Sequence, residues 1–356
     1  MLADRLLALR EGSRRVRALG VRPIVRPFDR HRATRRLRVG VVANRRHDAH
    51  QLPEADDGGP RRVSGHGNVH VIAVPFDSAH RARRMGAGPP HLVACGLLDR
   101  LRESRRRVEL SELAPPHEAW VAEIRTAFDL DRQLAGTVAA ARTRGAFPLT
   151  LAGNCITSVG TVGGLGAGTT GVLWFDAHGD FNTPESTVGG FLDGMALATV
   201  VGRCWTSLAA SVPGFAPVAE ANVVLVGARD LDDAESELLN ASAVVHLRAE
   251  EAATRLDAEL AALGRRVDQI YVHVDLDVLD ASEGRVNGYS GGQGLSRSEL
   301  LAAIESAGQR CRVAAGAITA YDPAYDTDGR VARTAIDVAL ALANAGDVRH
   351  AAQPRH

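Results

Sequence analysis

The sequence predicts an α/β protein, with three layers (α/β/α) around a central, mainly parallel sheet of about eight strands. From Val69 onward, short β-prone apolar runs alternate with longer segments of helical period, as in successive βαβ units. Roughly 290 residues follow this pattern, a length that fits one domain built on one such sheet. Acid-rich stretches close two of the apolar runs, where open parallel sheets bind their ligands.

Residues 1–68 stand apart. They hold 16 Arg against 7 acids, with one apolar patch (Val39–Val42) and a polar stretch from Asn44 to Asn68. Two readings fit: a disordered or loosely packed extension, and a basic arm for a nucleic acid or acidic partner. The predicted domain covers 69–346, and 347–356 form a tail. Its strands are Val69–Phe76, a weaker Arg107–Leu110, Pro148–Ala152, Gly171–Phe175, Asn222–Val226, Ala243–Leu247, Gln269–Leu276 and Val313–Thr319. Helical periodicity fills Gly88–Leu101, Glu118–Arg144, Leu192–Arg203, Ala249–Leu263, Ser296–Ala307 and Arg330–Ala345. Ser296 and Glu299 have the spacing of a capping box. Gly163, Gly164, Gly166 and Gly168 lack the G-K-[ST] of a phosphate-binding loop and read as a helix end and turn.

Composition narrows the function classes. The 42 basic residues, all Arg, balance 42 acids, which argues against nucleic acid as the main partner. Cys95, Cys155, Cys204 and Cys311 form no C-x-x-C and no disulfide framework. No run of 18 apolar residues predicts a membrane helix. The N-terminal segment has no uninterrupted apolar core, so the expected compartment is the cytoplasm.

The chemistry concentrates in WFDAHGDFN (Trp174–Asn182) and HVDLDVLD (His273–Asp280). Asp176, His178 and Asp180 alternate, as do Asp275 and Asp277, and alternate residues of an extended strand share a side. Four carboxylates and one imidazole brought together repel unless cations lie between them. Oxygen donors with one imidazole suit Mn²⁺, and also Zn²⁺ or Fe²⁺. A two-metal hydrolytic centre is the simplest reading. His246 and His273 read as core or strand-end residues, with His273 a possible partner behind Asp275.

These stretches, with the Gly-rich AGNCITSVG (Ala152–Gly160) that closes a strand and opens a helix, resemble in order and spacing the ureohydrolase superfamily: arginase, agmatinase and relatives. An upstream segment, VPFDSAHRARRMGAGPPHLVACGLLDRL, extends the likeness to about Val69–Ala345. The resemblance implies two Mn²⁺ ions sharing a hydroxide that attacks a guanidinium or amidine carbon. It implies that Asp176 and Asp275 bridge the metals, that His178 and Asp277 complete one, and that Asp180 ligates the other. Trimers or hexamers are usual in the family.

The departures bear on substrate. Cys155 stands where the family has a His ligand, and Asn154 where it has Asp. A thiolate at 155 would shift preference toward Zn²⁺ or Fe²⁺, whereas a buried, inert thiol would leave one metal weakly held. Asp193 occupies the position of a proton-relaying His. It reads as an acid–base group, as a holder of a cationic substrate head, or as a helix N-cap. Ala320 takes the place of a guanidinium-binding Glu, with Asp322 as the substitute, and Gly189 that of a Ser. Asn182 matches a substrate-loop Asn. The expected function is hydrolysis of a non-peptide C–N bond in a linear guanidino or amidino compound, with arginine and an N-hydroxylated arginine both fitting. The alternative is a catalytically weak or inactive relative that binds metal or ligand as a regulatory subunit.

Overall fold

The computed structural model describes residues 67–116 and 122–347. The N-terminal extension up to residue 66, the start of the helix predicted from Glu118, and the tail from 348 lie outside the described residues. Eight strands form one sheet: β1 Asn68–Val74, β2 Val108–Glu112, β3 Ala146–Ala152, β4 Thr170–Phe175, β5 Val223–Val226, β6 Val245–Leu247, β7 Gln269–Asp275 and β8 Val313–Thr319. Their order is β2-β1-β3-β8-β7-β4-β5-β6, and every neighbouring pair is parallel. The predicted fold class therefore holds.

The pleat sorts strand residues between two helical layers. Leu173 and Phe175 of β4, with Ile270, Val272 and Val274 of β7, join one core, which also takes in α1 (Gly88–Ala94), α2 (Leu97–Glu103), α8 (Ala249–Arg266), α9 (Arg297–Arg310) and α10 (Arg330–Asp347). Val172 and Trp174, with Tyr271, join the other, against α3 (Glu123–Thr143), α4 (Ser158–Leu165) and α5 (Ala196–Val200). Every residue of β3, β7 and β8 is buried, and each large apolar side chain so covered contributes roughly 1.5–3 kcal/mol. The edges are blunted. β2 carries exposed Glu109 and Glu112, which is why its sequence signal is weak, and β6 has three residues.

Local chemistry accounts for the differences from expectation. The first predicted helix is two, because Gly96 turns left-handed at φ 92° between α1 and α2. The span predicted from Leu192 is a short 3-10 turn, Asp193–Met195, followed by α5. Two short helices were not foreseen, α6 (Thr206–Ala209) and α7 (Asp233–Asn240). The Ser296–Glu299 capping box is formed as its spacing requires. Among the described residues no helix is long and apolar enough to cross a membrane.

Candidate metal centre

Four adjacent strands, β3, β8, β7 and β4, deliver their carboxyl ends to one cleft of about 360 Å³. Its lining includes Cys155, His178, Asp180, Asn182, Asp193, Asp275 and Asp277. Asp176 lies just behind, fully buried at the end of β4. The acids do not alternate along an extended strand as the sequence suggested. Both chains curl once past the strand end. The His178 amide donates to Asp176 Oδ1 at 2.8 Å, and the Asp277 amide donates to Asp275 Oδ1 at 2.9 Å within a 3-10 turn. Asp180 is left-handed, at φ 49°, a conformation Asp tolerates better than most residues. Curled loops, rather than pleat, turn these side chains toward one point.

The two acidic loops are knitted together. The Ala177 amide donates to Asp277 Oδ1 at 3.2 Å, and Asn287 Nδ2 donates to Asp277 Oδ2 at 3.2 Å. The His178 Nδ1 atom stands 3.2 Å from Asp176 Oδ1 and 3.5 Å from Asp277 Oδ2. Donor atoms of Asp176, His178 and Asp277 lie within 4.8 Å of one another, as do those of Cys155, Asp176 and His273.

Burial pushes the carboxyls of Asp176, Asp180 and Asp275 up, and repulsion from neighbouring carboxylates, Asp277 acting on Asp176 and Asp275, adds to it. Burial opposes a charge on His178, but Asp277 and Asp176 outweigh it and hold the imidazole at about 10. Glu235 is pushed up to about 7, chiefly by burial. Asp180 Oδ2 is buried with no hydrogen-bond partner. An unpaired buried carboxylate oxygen beside other carboxylates is costly as it stands, and a cation removes that cost. The donor set fits divalent metal on this ground.

Cys155 opens the turn after β3. The preceding Gly153 is required, since a Cβ there would meet Phe76 O at 2.2 Å and the Gly86 amide N at 2.7 Å. Cys155 Sγ lies 3.1 Å from Asp275 Oδ2 and 3.2 Å from Thr319 Oγ1. Burial pushes the thiol well up, and the surrounding carboxylates add to it.

Asp193 does not cap its own helical turn. It grips the Cys155 turn instead: Asn154 Nδ2 donates to Oδ2 and the Ile156 amide to Oδ1, both at 2.8 Å. Burial raises its carboxyl to about 7 despite these bonds. The two departures at 154 and 193 thus touch each other. Asn182 lines the cleft, with Oδ1 accepting from Ser186 Oγ at 2.8 Å. Asp322 is not brought to the cleft. Its Oδ1 accepts from the Ala324 amide at 3.0 Å, closing a local turn, and Ala320 lines the wall at that point. His246 is outside the cleft lining, with Nε2 against Ala228 O at 3.0 Å.

The sequence reading missed Asp230, Asp232, Glu235, Asn287 and Tyr289, all in the lining. Glu235 Oε1 accepts from the Phe181 amide at 2.8 Å. The signal was there: the acid-rich RDLDDAE follows β5 at the same end of the sheet as the other two acidic stretches.

The family model described as Arginase family matches residues 67–344. The arginase of Bacillus caldovelox is 27% identical over 285 residues, spanning 75% of this chain and 95% of that relative. Among solved structures, the arginase from Bacillus cereus superposes with a TM-score of 0.70 at 27% identity, covering 77% of this chain and 98% of its own. The formimidoylglutamase from Bacillus subtilis subsp. subtilis str. 168, at 19% identity and a TM-score of 0.64 over 83% of this chain and 96% of its own, shares the fold.

Proposed function

The chain belongs to the arginase family, and from that premise we propose that it is a binuclear metal-dependent hydrolase of a non-peptide C–N bond in a linear guanidino or amidino compound. The observation that carries this is Asp180 Oδ2, buried and unpartnered beside Asp176 and Asp275. Asp176 and Asp275 would be shared between two cations. His178 and Asp277 would complete one, Cys155 and Asp180 the other. When bound, the cations neutralise the acids and supply hydroxide near neutral pH. Mn²⁺ fits the oxygen donors best, and Cys155 brings Zn²⁺ and Fe²⁺ into range.

The remaining work falls to the chain. Asp230, Asp232 and Glu235 make the cleft wall acidic, which draws in a cationic substrate. Asn182 would orient its head. Asp180 would accept the proton of the attacking water. Asp193, with a carboxyl near 7, would carry a proton to the departing amine. Its hold on the Cys155 turn leaves each oxygen one lone pair for this. Ala320 offers no carboxylate to a bare guanidinium, and Asp322 is turned away. That favours a guanidine bearing a further polar substituent, such as an N-hydroxyl, over arginine itself.

The test is metal content per chain after loading with Mn²⁺, Zn²⁺ or Fe²⁺, with release of urea or a substituted urea from a guanidino panel. Two metals and turnover, both lost in Asp176→Ala and Asp275→Ala, are expected. Two metals without turnover on any guanidine would favour the ligand-binding alternative, for which the engaged oxygens of Asp193 speak. Fewer than two metals would end the binuclear reading.

A further inference from the structure

Behind Cys155 runs a buried chain of side chains that the metal centre does not use directly. Thr319 Oγ1 lies 3.2 Å from Cys155 Sγ and 3.2 Å from His273 Nε2. His273 Nδ1 lies 2.8 Å from the Tyr271 hydroxyl. All four residues are buried. The sheet's register builds the chain. Thr319 of β8 pairs with Asp275 of β7, and His273 of β7 pairs with Trp174 of β4. Cross-strand partners meet face to face, and here the indole and imidazole stack at 3.6 Å with 13° between planes. The indole Nε1 in turn donates to Asp176 Oδ2 at 3.0 Å. His273 is thus fixed on one flat side by Trp174 and at its rim by Tyr271 and Thr319.

The tautomer of His273 sets the direction of this chain, and one of its two directions aims a hydrogen at the sulfur. Tyr271 donating to His273 Nδ1 leaves the proton on Nε2. Nε2–H then donates to Thr319 Oγ1. The threonine hydroxyl, with one acceptor lone pair so taken, is left to donate, and Cys155 Sγ at 3.2 Å stands nearer to it than the Val274 carbonyl at 3.5 Å. Among the described residues, Cys155 Sγ has two hydrogen-bonding neighbours, Asp275 and Thr319. Once Asp275 and the sulfur both face a cation, Thr319 is the hydrogen-bond donor left to the sulfur among the described residues.

We infer that Tyr271, His273 and Thr319 form a positioning relay that aims a hydroxyl hydrogen at the Cys155 thiolate, drawing charge from the sulfur so that it serves beside carboxylates as a harder ligand than a bare thiolate. The inference rests on Cys155 being a ligand, as proposed above. Hydrogen bonding behind a ligand typically changes metal affinity by about 10–100-fold. Withdrawing the donor leaves a softer sulfur, which favours Zn²⁺ over Mn²⁺.

The experiment is Co²⁺ loading of the full chain, reading the sulfur-to-cobalt charge-transfer band in the near ultraviolet, with Zn²⁺ and Mn²⁺ affinities measured in parallel. Thr319→Val keeps the shape and removes the hydroxyl. Thr319→Ser restores it. His273→Phe keeps the stack on Trp174 and removes the relay. The expected result is a band that moves to longer wavelength in Thr319→Val and His273→Phe and returns in Thr319→Ser, with a Zn²⁺/Mn²⁺ affinity ratio raised about tenfold in Thr319→Val. A band that stays in place in Thr319→Val overturns the relay while leaving Cys155 a ligand. A band that moves in Thr319→Val and stays in a folded His273→Phe overturns the part given to His273. Should His273→Phe fail to fold, the Thr319 pair decides. No sulfur band in the wild-type protein removes Cys155 from the ligand set, and the relay with it.

Discussion

Replacing Asp180 by Asn should make the metal-free protein more stable and the metal-loaded protein less so. Asp180 is buried, its Oδ2 has no partner, and Asp176, Asp193, Asp275 and Glu235 all push its carboxyl up, after burial itself. An acid raised in the folded state destabilises that state as pH climbs above the unfolded value of about 4. At neutral pH the destabilisation is in force, and Asn removes it. Asn tolerates the left-handed φ of 49°, and its amide can donate to the carboxylates around it. Leaving a buried polar group unsatisfied costs about 1–3 kcal/mol. At roughly 2–4 °C per kcal/mol for a domain near this size, metal-free Asp180→Asn should melt about 2–12 °C above the wild type. Cation at a hundred times its Kd stabilises a binding protein by about 2.7 kcal/mol, and the variant should forgo that for one ion. Thermal melts with chelator and with saturating Mn²⁺ read both arms. A metal-free variant that melts at or below the wild type, or shifts equally in both conditions, refutes the reasoning.

Three further outcomes are expected. In the metal-free protein, urea stability should fall from pH 6.5 to 8, because Asp193 and Glu235, each held near 7, ionise in the fold there while the unfolded acids already have. His178, held at about 10, adds to the fall over that window. His273, lowered to about 3 by burial, contributes only below its unfolded value of about 6.5. Glu235→Gln should flatten the profile, and a rising profile would contradict it. Gly153→Ala sets a methyl 2.2 Å from Phe76 O, against backbone that cannot yield cheaply. A loss of about 1–3 kcal/mol or more in chemical denaturation is expected, with weakened metal binding, and an unchanged midpoint would be inconsistent with the packing. Arg229 donates to the carbonyls of Gly227, Asp277, Leu279 and Gly291. Arg229→Ala should therefore speed proteolytic nicking within 284–294, and an unaltered cleavage rate would show that the loop holds without it.

Most strands were legible because burial on both faces writes a continuous apolar run, complete in β3, β7 and β8. All eight fall where the sequence set them, even edge strand β2 with its charges. Helix ends were less so, since Gly96 breaks a run whose periodicity continues past it. α7 was missed because its sequence, DAESELLN, is largely polar. At the site, the residues of the acidic stretches were legible but the cause of their convergence was not. Period-two reasoning treats Asp176 to Asp180 as strand, whereas the chain has left the sheet and turned on Asx-type bonds. Asp193 was singled out from the sequence, but its bonds to the turn at 154 and 156 were not legible, because those partners lie nearly forty residues upstream. At the end of β8 the gap-free match sets Ala320 in the Glu's place with Asp322 as the substitute, and the structure engages Asp322 Oδ1 in a local turn with the Ala324 amide.

The strand order has a consequence for how the molecule comes into being. Strands β2, β1 and β3 form one trio, and β4, β5 and β6 another, and the trios do not touch within the sheet. The two strands that join them, β7 and β8, come from residues 269–319. During synthesis the nascent chain therefore carries two half-sheets with raw inner edges until residues 269–319 emerge. Such long-range pairing is slow to form and leaves strand edges open meanwhile. It also keeps the mutually repelling carboxylates apart, because Asp275 and Asp277 arrive on the strand that closes the gap. Assembly of the acidic cluster is thereby deferred to the final zipping step, when a cation can be taken up as the sheet closes around it.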